Sequence, residues 1–340
     1  MGRRITLKDL AEDLGLSQQA VSLALRGARG VGETTRGRVR ARAAELGYQP
    51  DPALRALADY RTRGRPIANR WNQVALLHNW TTEGGLLENP FYAGWFRELK
   101  TAARERGMAI EVRWLGPEGR RGPAVFRSLR NRGISGIFLA PPAMRAEPNA
   151  IHLSGGDFQA VSFGPEHLYP DLHTVQFDFY GNLRLAWRML WERGRRRIGL
   201  VEGRDHGWRT GHVRRAAFHV EQFLTGGPAK TCQPLELTGS KRAQRAQYRD
   251  WLREGRYDAV ISGDPWVTKP NPAHRHAPEL ALLNAEGTGC QGIDLNLPQM
   301  ARTAVELLIL EMQQSLAREK SLPLRVHIPG RWVEAVGRPC

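Results

Sequence analysis

Along the first 50 positions apolar residues recur with the 3.6-residue period of helices, and from Val74 onward they gather into short unbroken runs. Leu7, Leu10, Ala11 and Leu14 mark one helix face, with Thr6 placed to cap the helix and Asp9 in its first turn. Gly15 and Leu16 read as a short turn. Ser17 then caps a second helix, Gln18 to Leu25, whose Ala20, Val21, Ala24 and Leu25 point inward and whose Gln18, Gln19, Ser22 and Leu23 point outward. A third helix is predicted from Glu33 to Leu46, with Val39, Ala43 and Leu46 on its apolar side, arginines at 36, 38, 40 and 42 on the other, and Gly47 as its stop. Such a trio predicts a helix-turn-helix head.

Beyond the polar stretch Arg61 to Pro66, strand-like runs alternate with helical ones. Val74–Leu77 precedes a helix from Phe91 to Arg106, and a helix at Ala124 to Asn131 precedes Gly136–Leu139. Ile198–Val201 precedes Gly211 to Leu224, and Ala243 to Glu254 precedes Ala259–Ser262. This rhythm predicts parallel α/β sheets. The boundaries read as 1–50 for the head, 51–66 for a hinge and linker, and 67–340 for the α/β body.

Charge sharpens the picture of the head. Fifty Lys plus Arg against 34 Asp plus Glu give +16, and 14 basic against 7 acidic residues fall within the first 70 positions. The excess suits a polyanionic partner, although arginine supplies all but six of the basic residues and such a bias also follows from a GC-rich genome. The longest apolar candidate, Ala304 to Met312, is short and broken by glutamates, so a cytoplasmic, nucleoid-associated protein is expected. Cys232, Cys290 and Cys340 form no C-x-x-C pair and read as ordinary thiols. There is no nucleophile elbow, Walker loop, H-E-x-x-H or G-x-G-x-x-G, so the reading is a non-enzyme without metal or cofactor.

Four stretches in register, Thr6–Ala11, Gly15–Ser22, Thr35–Val39 and Leu46–Pro50, make the head resemble that of the LacI/GalR family of bacterial transcription regulators. The resemblance continues more faintly through Val175–Asp178, Ile198–Val201, Gly292–Asp294 and Ile328–Val333. It implies base reading by Gln18, Gln19 and Leu23, and DNA-backbone contacts by Thr6, Ser17, Ser22, Gly32, Thr35 and Arg36. Leu23 stands where arginine or lysine is frequent, which favours a thymine methyl over a guanine. Asp51–Ala58 resembles the family's hinge helix, with Leu54, Arg55 and Leu57 in the minor groove and Leu57 as the wedge between base steps. The implied fold class is an all-α head followed by a periplasmic-binding-protein-like body of two parallel-sheet subdomains, joined by three crossovers around a small-molecule cleft.

Ligands in open α/β sheets lie beyond the carboxyl ends of strands, so loops there supply the effector candidates. These are His78, Asn79, Trp80 and Phe91, then Asp205, His206 and Trp208, with aromatics that can stack on a sugar beside groups that bind hydroxyls. Arg214 occupies the place of the family's effector-contacting arginine. Three prolines between 264 and 272 depart from the family pattern and leave Asp264, Trp266 and Asn284, with Glu286, as substitutes for its effector-binding aspartate. The expectation is a homodimeric repressor of carbohydrate genes that binds a roughly palindromic double-stranded operator under control of a small molecule, with no membrane partner. The alternatives are a regulator whose cleft is degenerate and answers to a protein partner or to none, and a hydrolase built on the α/β domains.

Overall fold

The computed structural model describes residues 6–25, 31–46, 48, 73–116, 119–142, 151, 153, 158–203, 207, 209–226, 232–263, 277–317 and 322–336. Chain contacts divide the molecule into two units, Met1–Ile67 and Ala68–Cys340. The first unit holds α1 (Leu7–Leu14), α2 (Gln18–Leu25) and α3 (Glu33–Glu45) around Leu10, Ala11, Val21, Ala24, Val39 and Ala43. Gly15 closes α1 at φ 64°, sending its N–H to the carbonyls of Ala11 and Glu12. A side chain there would strain the left-handed backbone that turns the chain into α2.

In the second unit, β1 (Gln73–His78), β2 (Ala109–Trp114), β3 (Gly136–Leu139), β4 (Gln159–Ser162), β5 (His173–Phe177) and β11 (Arg325–Ile328) form an all-parallel sheet in the order β11-β5-β4-β3-β1-β2. A second sheet runs β12-β10-β9-β8-β6-β7 from β6 (Ile198–Gly203), β7 (Leu235–Leu237), β8 (Ala259–Ser262), β9 (Glu279–Leu282), β10 (Gly292–Asp294) and β12 (Arg331–Val333). Only β12 runs antiparallel to its neighbour. Among the described residues the longer helices of this unit are α4 (Pro90–Glu105), α5 (Gly122–Asn131), α6 (Phe179–Glu192), α7 (Val213–Thr225), α8 (Lys241–Gly255) and α9 (Leu297–Ala317).

Burial on both faces explains the unbroken apolar runs. Val74 and Leu76 of β1 pack in one cluster with Trp95 and Leu99 of α4, while Ala75 and Leu77 join another with Phe126 and Leu129 of α5. The helices and strands expected from periodicity are present, with ends that coincide or shift by at most two residues. The strands β2, β4, β7 and β11 escaped the reading of the sequence.

Among the described residues the chain passes between the sheets three times, at 177–179, 294–297 and 328–331. Helix α9 follows β10 of the second sheet yet packs on β3, β4 and β5 of the first. His173 fastens this arrangement: its Nδ1 accepts the Leu324 N–H at 2.9 Å, so its Nε2 carries the proton that faces Glu311 at 2.9 Å. The three crossings meet at Gly330, whose N–H donates to Asn182 Oδ1 at 2.8 Å, and a Cβ there would stand 2.4 Å from Ile293 Cγ2.

Two expectations need correction. His78 is the last residue of β1 and is buried, not a loop residue open to ligand, because the strand runs one position further than its apolar letters. Cys290 is disulfide-bonded, with its partner outside the described residues, while Cys232 is a buried thiol in no disulfide. Sequence spacing misses such a bond because tertiary proximity decides it: Val336 donates its N–H to Gly289 O at 3.0 Å, which brings the chain back beside Cys290.

Candidate functional site

The head presents a surface built by its caps. Thr6 and Asp9 cap each other at the start of α1, through Thr6 N–H to Asp9 Oδ2 at 2.8 Å and Asp9 N–H to Thr6 Oγ1 at 3.2 Å. Ser17 Oγ accepts the Ala20 N–H at 3.1 Å and so fixes the start of α2. With Val21 and Ala24 buried, Gln18 and Gln19 are left exposed on the first turn of α2, and Ser22 and Leu23 half-buried on the next. Gly32 begins α3 with no side-chain cap. Thr35 is half-buried beside Arg36, whose guanidinium donates to Glu33 Oε2 at 2.8 Å and to the Val31 carbonyl at 3.1 Å. Leu54, Arg55 and Leu57 lie outside the described residues.

In the α/β body a cleft of about 410 Å³ opens between the two subdomains. One wall comes from the loop after β4 and from β5 and β11, with Glu166, Gln176, Phe177 and His327; the other comes from the start of α7, with Thr210, Gly211 and Val213. Phe177 begins a chain of aromatic contacts that runs through Phe91 and Tyr92 to Trp80, with centroids 5.1–6.1 Å apart. Phe179 packs on Phe177 from the other side at 6.0 Å. Two arginines of the second subdomain rest on these rings. Arg209 lies over Tyr92 at 5.5 Å and donates to its hydroxyl, and Arg214 lies over Phe179 at 4.9 Å.

The effector candidates therefore fall in different places. Trp80 and Phe91 belong to the aromatic chain and pack against the core, and the Trp80 indole N–H is already donated to the Pro141 carbonyl at 2.9 Å. Asn79 is half-buried beside Trp80. Arg214 is only 8 % exposed and sits 3.7 Å from the buried Glu202. Asn284 follows β9 with its Oδ1 buried and lacking a hydrogen bond. Asp205, His206, Trp208, Asp264 and Trp266 lie outside the described residues. Tyr92, Phe179, Glu202 and Arg209 were missed. Only Glu202 left a signal, as an acidic residue ending the apolar run Ile198–Val201.

His78, 1 % exposed with neither ring nitrogen hydrogen-bonded, ends β1, and burial lowers its pKa to about 4. Among the described residues no group of His, Cys, Asp and Glu has the geometry to hold a metal ion, and no helix is long and apolar enough to cross a membrane.

Residues 6–51 match the family model "Bacterial regulatory proteins, lacI family". The HTH-type transcriptional regulator CelR of Thermobifida fusca is 30 % identical over 208 residues, covering 59 % of this chain and 56 % of CelR. The chain spans about half the length of the curated relatives it matches. Likeness of fold extends further. A CelR–cellobiose complex superposes with a TM-score of 0.54 at 20 % identity over 98 % of this chain and 99 % of that one. A lac repressor dimer bound to operator and the anti-inducer ONPF gives 0.55 at 18 % identity over 98 % of each. Residues 6–51 are thus a lacI-family head, and the two α/β subdomains that follow in the chain have the fold of the lacI-family repressors.

Proposed function

We propose that the protein is a sequence-specific DNA-binding transcriptional regulator, acting as a dimeric repressor of carbohydrate-related genes, with operator affinity set by a sugar in the cleft between its α/β subdomains. The observation that carries this reading is the capped helix pair that leaves Gln18 and Gln19 exposed on the first turn of α2. Glutamine can hydrogen-bond two ways to an adenine edge in the major groove, while Thr6, Ser17, Ser22, Gly32, Thr35 and Arg36 hold the backbone and Leu23 meets a thymine methyl. One such head reads too few bases for useful specificity, so two copies meet a roughly palindromic site, with Leu54, Arg55 and Leu57 in the minor groove between them. In the cleft, Gln176 and the rings of Phe177 and Tyr180 supply the hydrogen-bonding group and stacking surface a sugar needs, and Arg214 stands against the ring of Phe179. The chemistry of these residues is recognition, not catalysis, and the protein works in the cytoplasm.

The test is a footprint on DNA selected from random sequence, followed by titration with cellobiose and other neutral sugars. A two-fold footprint whose affinity shifts with a sugar supports the reading; a single asymmetric half-site contradicts it. One observation favours a second reading, a regulator whose cleft takes no sugar. The indole N–H of Trp80 and the guanidinium of Arg214 already have partners within the protein. In that case the two-fold footprint remains and no sugar moves it.

A further inference from the structure

Gln176 brings an unpaired amide to the cleft. It is 9 % exposed, it belongs to the lining, and its side chain makes no hydrogen bond among the described residues. A polar group so deeply buried is costly to leave without a partner, so Gln176 marks a position that a ligand completes. Its neighbours set the kind of ligand. His327 stands in register with it on the adjacent strand, and Arg325, two residues earlier, shares that face of β11. Glu166 is the only carboxylate of the lining among the described residues, and both its oxygens are engaged: Oε1 accepts from His327 Nε2 at 2.8 Å and Oε2 from Arg325 Nη1 at 3.1 Å.

Donors are left over. Arg325 also reaches the Pro170 carbonyl through Nη2 at 3.4 Å, and its Nε–H has no partner among the described residues. With His167 the lining sets three basic side chains against that one carboxylate. The facing wall adds to the same sign. Helix α7, 13 residues long, begins there with Thr210, Gly211 and Val213 in the lining, and its N-cap residue His212 supplies no side-chain cap. The start of a helix presents backbone N–H groups and a partial positive charge. The uncapped helix and the unpaired amide are independent features of one cavity.

We infer that the effector is an acidic sugar: its carboxylate or phosphate is held by Arg325 and His327 on one wall and by the start of α7 on the other, and its hydroxyls bond to the amide of Gln176. This rests on the reading of the cleft as a sugar site and adds the charge of the ligand. An acid gains charge-assisted hydrogen bonds from the surplus donors, which a neutral sugar cannot. A cationic ligand meets no carboxylate that Arg325 and His327 have not already engaged.

The experiment is calorimetric titration of the full chain without DNA, using glucose, glucuronate and glucose 6-phosphate, on wild type, Arg325→Gln and Gln176→Leu. Wild type should bind glucuronate or glucose 6-phosphate about tenfold or more tightly than glucose, the usual advantage of a charged acceptor over a neutral one, and the tighter of the two identifies the acid group. Arg325→Gln should lose that preference and bind acid and glucose about equally. Gln176→Leu should weaken all three sugars. Equal or tighter binding of glucose by wild type, binding of none of the three, a preference that survives in Arg325→Gln, or a Gln176→Leu variant that binds them as wild type does overturns the inference. A surviving preference would place the acid outside the cleft, on the arginines of the head. Circular dichroism checks the fold, and if Arg325→Gln unfolds, His327→Gln takes its place with the same expectation. Failure of the sugar-regulator reading looks different: the preference for acid and its dependence on Arg325 are measured as expected, while operator affinity stays indifferent to all three sugars.

Discussion

Arg42 holds Asp13 through two parallel hydrogen bonds, Nε to Oδ2 at 2.6 Å and Nη2 to Oδ1 at 2.9 Å, and so ties the last turn of α3 to α1. This fork geometry keeps the Asp13 carboxyl below its ordinary pKa, chiefly through the hydrogen bonds to Arg42. The pair therefore supports the head above the unfolded carboxyl value of about 4, and its contribution is lost as pH falls through the lowered native value. Head unfolding, followed by amide NMR of the full chain, should differ between wild type and Arg42→Gln by a constant amount from neutral pH down to about 5, and the difference should vanish in stronger acid. A difference that grows on acidification would be the wrong sign.

For DNA, replacing Gln19 by alanine should relax preference at individual base pairs by about 1–3 kcal/mol while leaving other positions intact. Arg36→Ala should weaken binding to every sequence and lower the salt slope by about one unit. Affinities on a set of single-base operator variants, at two salt concentrations, separate the two. Equal losses on all operators for the Gln19 variant would remove it from base reading.

His78 makes the body acid-sensitive. Its native pKa near 4 lies below the unfolded value of about 6.5, so the unfolded chain binds the extra proton in between. Stability is therefore whole above about pH 6.5 and declines as pH falls toward 4, by roughly 3 kcal/mol at most. His78→Leu should flatten this part of the melting-temperature profile, measured on the α/β unit's own transition. A profile unchanged by the substitution would mean that other groups govern it.

Gly330→Ala should act on the subdomain crossings. Its Cβ would stand 2.4 Å from Ile293 Cγ2 and 2.7 Å from the Asp294 carbonyl oxygen, so one crossing must shift away from another. Overpacking of this kind costs about 1–3 kcal/mol. The expected readouts are a lower melting temperature and a sugar response reduced well beyond the loss of sugar affinity, compared by calorimetry and operator titration.

The head was legible to nearly the residue because its signals are local. Caps at Thr6 and Ser17, a left-handed Gly15 and one apolar face per helix are each fixed within a turn or two of chain. The paired sheets were legible as a rhythm, since strands buried on both faces read as apolar runs. The strand β2 did not read that way because Glu111 and Arg113 alternate with its apolar residues at the sheet edge. The cleft was least legible. Arg209 meets Tyr92 only after the two subdomains are assembled, and no spacing along the chain encodes that pair.

The borrowed elements of the first sheet set the order of synthesis against the order of folding. Strand β11 and helix α9 complete a sheet whose other strands end at Phe177, yet β11 begins at Arg325, roughly 150 residues later. At 5–20 residues per second a ribosome needs about 7–30 s to cover that interval. Throughout it, the edge of β5 lacks its partner strand, and the faces of β3, β4 and β5 on which α9 later packs, with Val161 and Val175 among them, lack their helix. An unpaired strand edge beside open apolar surface is the usual seed of aggregation, so the nascent chain has to be shielded until β11 emerges.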